Sequence, residues 1–113
     1  MATLSLTGKG NVHSIANILT NEIQNSGISC NLVGSTTRTL GDTSVYVMVF
    51  EKYYMRASNR TSLTVSVIGD SEAVCVDAIG SGGGQGAFFK FSWGAEENFI
   101  NTVDTILRPH GFS

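Results

Sequence analysis

VCVDAIGSGGGQGAFFKFSW, residues Val74 to Trp93, holds two alternating segments on either side of a glycine-rich stretch. Val74, Val76 and Ala78 alternate with Cys75, Asp77 and Ile79. Farther on, Phe89, Phe91 and Trp93 alternate with Phe88, Lys90 and Ser92. Period-two alternation marks half-buried strands. Between them lies Gly80-Ser81-Gly82-Gly83-Gly84-Gln85-Gly86, five glycines in seven residues. If the two strands are neighbours, opposing Ile79 to Phe88 sets Val74 against Trp93, Val76 against Phe91 and Ala78 against Phe89. Asp77 then meets Lys90, and Cys75 meets Ser92, on the other face. A slip by one residue would bury Asp77 beside Phe89, which is costly without a partner.

Toward the N-terminus, Ser62–Ile68 is a strand with one apolar side, Leu63, Val65 and Val67. Opposing Ile68 to Ala73 leaves a two-residue loop, Asp70-Ser71, a common hairpin length. It also sets Val67 against Val74 and Val65 against Val76. Thr43–Met55 is the longest strand candidate and is apolar on both faces: Val45, Val47 and Val49 on one, Tyr46, Met48 and Phe50 on the other. Such a strand is usually central or covered twice. Glu51-Lys52-Tyr53-Tyr54 breaks the alternation and predicts a bulge or bend. Ala57 to Arg60 supplies a turn. Ile28–Val33 is a further strand, and Gly34 to Asp42 a loop or irregular edge.

At the N-terminus, Thr3–Thr7 alternates and is followed by the turn Gly8-Lys9-Gly10-Asn11. Asn11 is a good helix cap, although Ser14 competes for the role. Val12, Ile15, Ala16, Leu19 and Ile23 recur at helical spacing, with Ile18 beside them. Ser26-Gly27 supplies a stop, Gly27 suiting a left-handed cap. A second helix begins after Trp93, capped by Ser92 or Gly94. Its first turn holds Glu96 and Glu97, whose charge suits a helix start. Phe99, Val103, Ile106 and Leu107 form its stripe, with Ile100 beside it, and Pro109 ends it.

Of the six strand candidates, five are read into the sheet, and the element order is β-α-β-β-β-β-α. This is an α+β domain, a mainly antiparallel five-stranded sheet with two helices packed on one face. At 113 residues the chain is one domain's worth, residues 1–113, and long enough for one core. That element order resembles the TATA-binding protein's repeat and the helix-grip lipid-binding domains along the whole chain, with no specific motif. In residue texture the chain resembles small uncharacterised bacterial proteins. The resemblance implies a fold and carries no functional residue across.

Composition narrows the function classes. Net charge is −2 with no basic block, which weighs against a nucleic-acid binder. No apolar run approaches a membrane span, and residues 1–10 lack the apolar core of a signal peptide. A cytoplasmic protein with reduced Cys30 and Cys75 is expected. The two cysteines lack metal-site spacing, so neither a metal nor a cofactor is expected.

Candidate sites follow from these elements. Gly82, Gly83, Gly84 and Phe88 would border a ligand crevice with the glycine-rich loop as its lid. Lys9 and Gly10, at a helix start, would suit an anion. Tyr46 and Met48, or their valine neighbours, would share the uncovered sheet face with Cys75, Asp77 and Lys90. A homodimer through that face or through an edge strand is the expected way to cover it. An enzyme would need titratable groups clustered around Cys75, Asp77 and Lys90, with His13 or His110 as a base. No catalytic constellation stands out in the chain. Self-association or protein interaction by a non-catalytic domain is therefore the leading expectation, and a small-ligand binder the alternative.

Overall fold

The computed structural model describes residues 2–25, 30–54, 59–82 and 95–113. Five strands, β1 (Ala2–Gly8), β2 (Cys30–Leu40), β3 (Thr43–Tyr54), β4 (Asn59–Gly69) and β5 (Val74–Gly82), form one antiparallel sheet in the order β1-β5-β4-β3-β2. Two helices, α1 (Val12–Gln24) and α2 (Ala95–Leu107), lie on one face. The architecture is α+β, as the patterning implies.

The helix-facing side of the sheet is the core. Phe50 opposes Leu63, Met48 opposes Val65, and Val67 opposes Val76. All six side chains are buried, as are Val74 and Ala78. Val12, Ile15, Ala16, Leu19 and Ile23 of α1 close over them, the stripe read from the sequence. Asn11 caps α1, its Oδ1 accepting from the Ser14 N–H at 3.1 Å. From α2, Ile100, Val103 and Leu107 are buried, with Ile106 partly so. The Thr20 hydroxyl donates to the Ala16 carbonyl at 2.8 Å and lies 3.2 Å from the Met48 sulfur.

Several local expectations are corrected. Both edges of β5 are occupied, since β4 pairs along one side and β1 along the other. Val74 opposes Gly8, Val76 opposes Leu6 and Ala78 opposes Leu4, where Trp93, Phe91 and Phe89 were expected. Residues 83–94, including Gly83, Gly84, Phe88 and Lys90, lie outside the described residues. Gly80, Ser81 and Gly82 belong to β5 rather than to a loop.

The β4–β5 register is displaced by two residues from the expected one. Val67 faces Val76, and Gly69 faces Val74. An even shift keeps every side chain on its expected face. The cause is the turn. The Asp70 carboxylate accepts from the N–H groups of Glu72 (2.8 Å) and Ala73 (3.1 Å), so Asp70 to Ala73 closes the hairpin as a unit.

β2 continues through Leu40, where a loop or irregular edge was expected. A two-residue turn, Gly41-Asp42, then joins it to β3. Gly41 has φ +62°, the left-handed value that such hairpin turns require at their first position. The bulge falls at Val33, between the Leu32–Phe50 and Gly34–Val49 pairs, and not at Glu51–Tyr54, where β3 and β4 stay in register. Asn59 and Arg60 pair within β4 rather than forming a turn.

Pro109 does end the second helix, in a short 3-10 turn, Arg108–His110. The chain then returns to the sheet. Phe112 is buried, and Ser113 exchanges two backbone hydrogen bonds with Thr7 of β1.

Candidate functional site

An antiparallel sheet collects alternate connections at one end. Here the β1–α1 turn, the β2–β3 turn, the β4–β5 turn and the 3-10 turn after α2 all meet there. Two clefts open among them and share the β4–β5 turn. The first, about 220 Å³, is lined by Gly10, Asn11, His13, Asp42, Ser44 and Asp70, among others. The second, about 470 Å³, is bordered by Thr7, Gly8, Lys9, Glu72, His110 and Gly111.

The structure divides the anion candidate. Gly10 lines the first cleft and Lys9 the second. Asn11 has already satisfied one orphan amide of α1 through Ser14. An anion at the helix start would also share its cleft with the carboxylates of Asp42 and Asp70. Two backbone N–H groups hold the Asp70 carboxyl below its usual range, which keeps that charge in place. In the second cleft Lys9 and Glu72 both line the rim. Together these clefts present charges of both signs on exposed side chains, which suits a small zwitterionic or polar molecule better than a bare phosphate.

Gly82 lies at the other end of the sheet. Eight residue steps along β5 separate it from Val74, roughly 26 Å at about 3.3 Å per residue. Gly82 therefore shares no site with Lys9 and Gly10. Its expected companions Gly83, Gly84 and Phe88 lie outside the described residues.

The uncovered face resolves the ambiguity of β3. Tyr46 and Met48 point toward the helices, Met48 with no exposure at all, and the Tyr46 ring meets His13 edge-on with centroids 6.1 Å apart. Val45, Val47 and Val49 take the open face. Val45 sits opposite Ile68, and Val49 opposite Thr64, which in turn faces Ile79. Ile68 and Ile79 are exposed.

Cys75 and Asp77 do lie on this face, but their neighbours come from β1. The Ser5 hydroxyl donates to Asp77 Oδ1 at 2.6 Å, and Thr7 Oγ1 lies 3.8 Å from the Cys75 sulfur. Lys90, the expected partner of Asp77, falls outside the described residues. Cys30 is on the helix-covered face, where burial pushes its thiol pKa up and Lys52 only partly opposes this.

Sequence reading missed the clustering of Asp42, Ser44, Asp70, Glu72 and both histidines at one end. The signal was available in the connectivity, because alternate turns of a meander share an end. No group of three or more His, Cys, Asp or Glu side chains suited to a metal ion occurs among the described residues, and no described helix is long and apolar enough to cross a membrane.

No curated protein matches the chain. A model of a family of unknown function, DUF6054, matches residues 1–111, and the chain belongs to that family.

Proposed function

We propose that this chain is a cytoplasmic, non-catalytic α+β domain that acts by self-association. The observation that carries this reading is the one-sided cover of the sheet among the described residues. Both helices lie on the same face, while Val45, Val47, Val49, Ile68 and Ile79 lie among Thr64, Ser66 and Asp77 on the other. Leu40, at the end of the β2 edge strand, is 86% exposed. Apolar groups gathered on a flat surface with few charges mark contact surfaces. The likeness to the TATA-binding protein's repeat and to bacterial proteins of similar texture is, on this reading, architectural and carries no nucleic-acid site.

Native mass spectrometry tests the proposal. A dimer is expected at micromolar concentration, and a chain that stays monomeric through hundreds of micromolar overturns it.

A second reading, a small-ligand binder, is favoured by the cleft beside Lys9, Glu72 and His110. The ligand class that its mixed charges suit is a small zwitterion. The same spectrum reads this out as added mass, and Lys9→Ala should remove that mass while leaving subunit number unchanged. Persistence of the mass in Lys9→Ala would exclude this cleft.

A further inference from the structure

We infer that two copies of this chain join edge to edge through β2, antiparallel about a two-fold axis at Thr37, with Leu40 of each copy seated over Gly34 of the other. The inference rests on the self-association reading and places the contact on the β2 edge, where Leu40 projects, rather than on the open face of the sheet.

The two edges of the sheet differ. On β1, Ser113 already covers the backbone of Thr7. On β2, the outermost strand, every residue from Gly34 to Leu40 is exposed. Charged side chains, proline and lysine are the usual protection of an edge. This segment carries only Arg38.

The turn fixes which backbone groups are free. In a two-residue hairpin the closing residues exchange hydrogen bonds, here Leu40 with Thr43. Pairs alternate from there, so Arg38, Thr36 and Gly34 bond toward β3, while Thr39, Thr37 and Ser35 point their N–H and C=O groups outward. The side chains agree with this phase. Thr39 Oγ1 and Ser44 Oγ approach to 3.3 Å, as expected of the closer, non-hydrogen-bonded kind of pair.

A symmetric partner strand must match outward residues with outward residues. A dyad at Thr37 sets Thr37 against Thr37 and Ser35 against Thr39, and uses the whole free segment. It sets Arg38 against Thr36. A dyad at Arg38 would oppose two like charges. The Thr37 register also sets Leu40 against Gly34, both on the open face. A Cβ on Gly34 would meet nothing within 4 Å, so the space there is empty, and Leu40 is the most exposed of the large apolar side chains. Beside Gly34 lies Val49, its neighbour on β3, so Leu40 would extend the valine row of the other copy. Projection and gap thus occur on one strand at positions the dyad exchanges, the self-complementarity an isologous contact needs.

The test combines subunit number with cross-linking. Thr37→Pro removes an N–H that no strand of its own sheet uses, together with the hydroxyl bond to the Val45 carbonyl (3.1 Å), and proline is tolerated at such edge positions. It should weaken dimerisation at least tenfold while the circular dichroism spectrum is kept. In a Cys75→Ser background, Thr37→Cys should form a disulfide-linked dimer under mild oxidation, since paired Cα atoms lie about 5.5 Å apart. Thr39→Cys should not, because its symmetry mate is roughly 13 Å away. A wild-type dimer that survives Thr37→Pro unchanged, or that cross-links through Thr39→Cys as readily as through Thr37→Cys, overturns the edge contact and leaves self-association standing. A monomeric wild type removes both. If Thr37→Pro unfolds, the two cysteine variants still decide.

Discussion

Gly8 shows how one missing side chain fixes the way the chain closes on itself. A Cβ there would lie 2.7 to 2.9 Å from three atoms of the Phe112 ring, closer than packed carbons approach. Gly8→Ala should therefore displace Phe112 and cost about 1–3 kcal/mol in chemical denaturation, the usual range for overpacking. Phe112→Ala should relieve the clash, so the double variant should be less destabilised than the sum of the two single ones. Strict additivity would mean that the ring does not sit on Gly8. Asp70 makes a second prediction at this scale. Its folded pKa is lowered by the N–H groups of Glu72 and Ala73, so its contribution to stability is present above the ordinary carboxylate pKa and is lost as pH falls through the lowered value. Melting temperature measured from pH 6 to pH 2.5 should fall less steeply for Asp70→Asn than for wild type, because the amide oxygen still accepts in the turn but does not titrate. Parallel curves would sink this assignment. The cysteines divide by burial, Cys30 being buried and Cys75 exposed. Alkylation under native conditions should modify Cys75 and reach Cys30 only after unfolding.

Among the elements, β2 is where local sequence was least informative. Its second half lacks apolar alternation because it is exposed on both faces, so pattern alone gave a loop. What holds it is pairing with β3, from Gly34–Val49 to Leu40–Thr43. Val33 is the extra residue of that ladder. Deleting it would leave Leu32 and Gly34 consecutive, as their partners Phe50 and Val49 already are. The deletion should keep the fold, whereas deleting Thr36 should disrupt it by turning one side of the strand over. Loss of the native spectrum in both deletions would argue against a bulge at Val33. The helix α1 was the opposite case. Its cap and its full buried stripe were legible, because periodicity and capping are local properties. The partner of β5 was not legible. The alternation of Val74–Ile79 assigned its faces correctly, but face assignment does not choose a neighbour. β1, the strand most remote from it in sequence, pairs with it in place of residues 88–93.

At the scale of the molecule, the fold class followed from element order. The candidate sites did not, for two physical reasons. The β3 strand is apolar on both faces, so its sequence left Tyr46 and Met48 interchangeable with the valines until α1 chose a side. Lys9, Gly10 and Gly82 are each glycine-loop residues in sequence, yet strand direction sends them to opposite ends. Among the described residues, the sheet has one covered and one uncovered face, an end rich in polar turns, and a β2 edge with no partner strand. Self-association is the reading that this asymmetry supports. The most direct measurement is native mass spectrometry of the wild-type chain over a concentration series. A species at twice the 12.0 kDa chain mass, growing with concentration and free of added mass, is expected. A single species at the chain mass across the series would contradict self-association, and a chain mass carrying a constant increment would shift the function to the cleft beside Lys9.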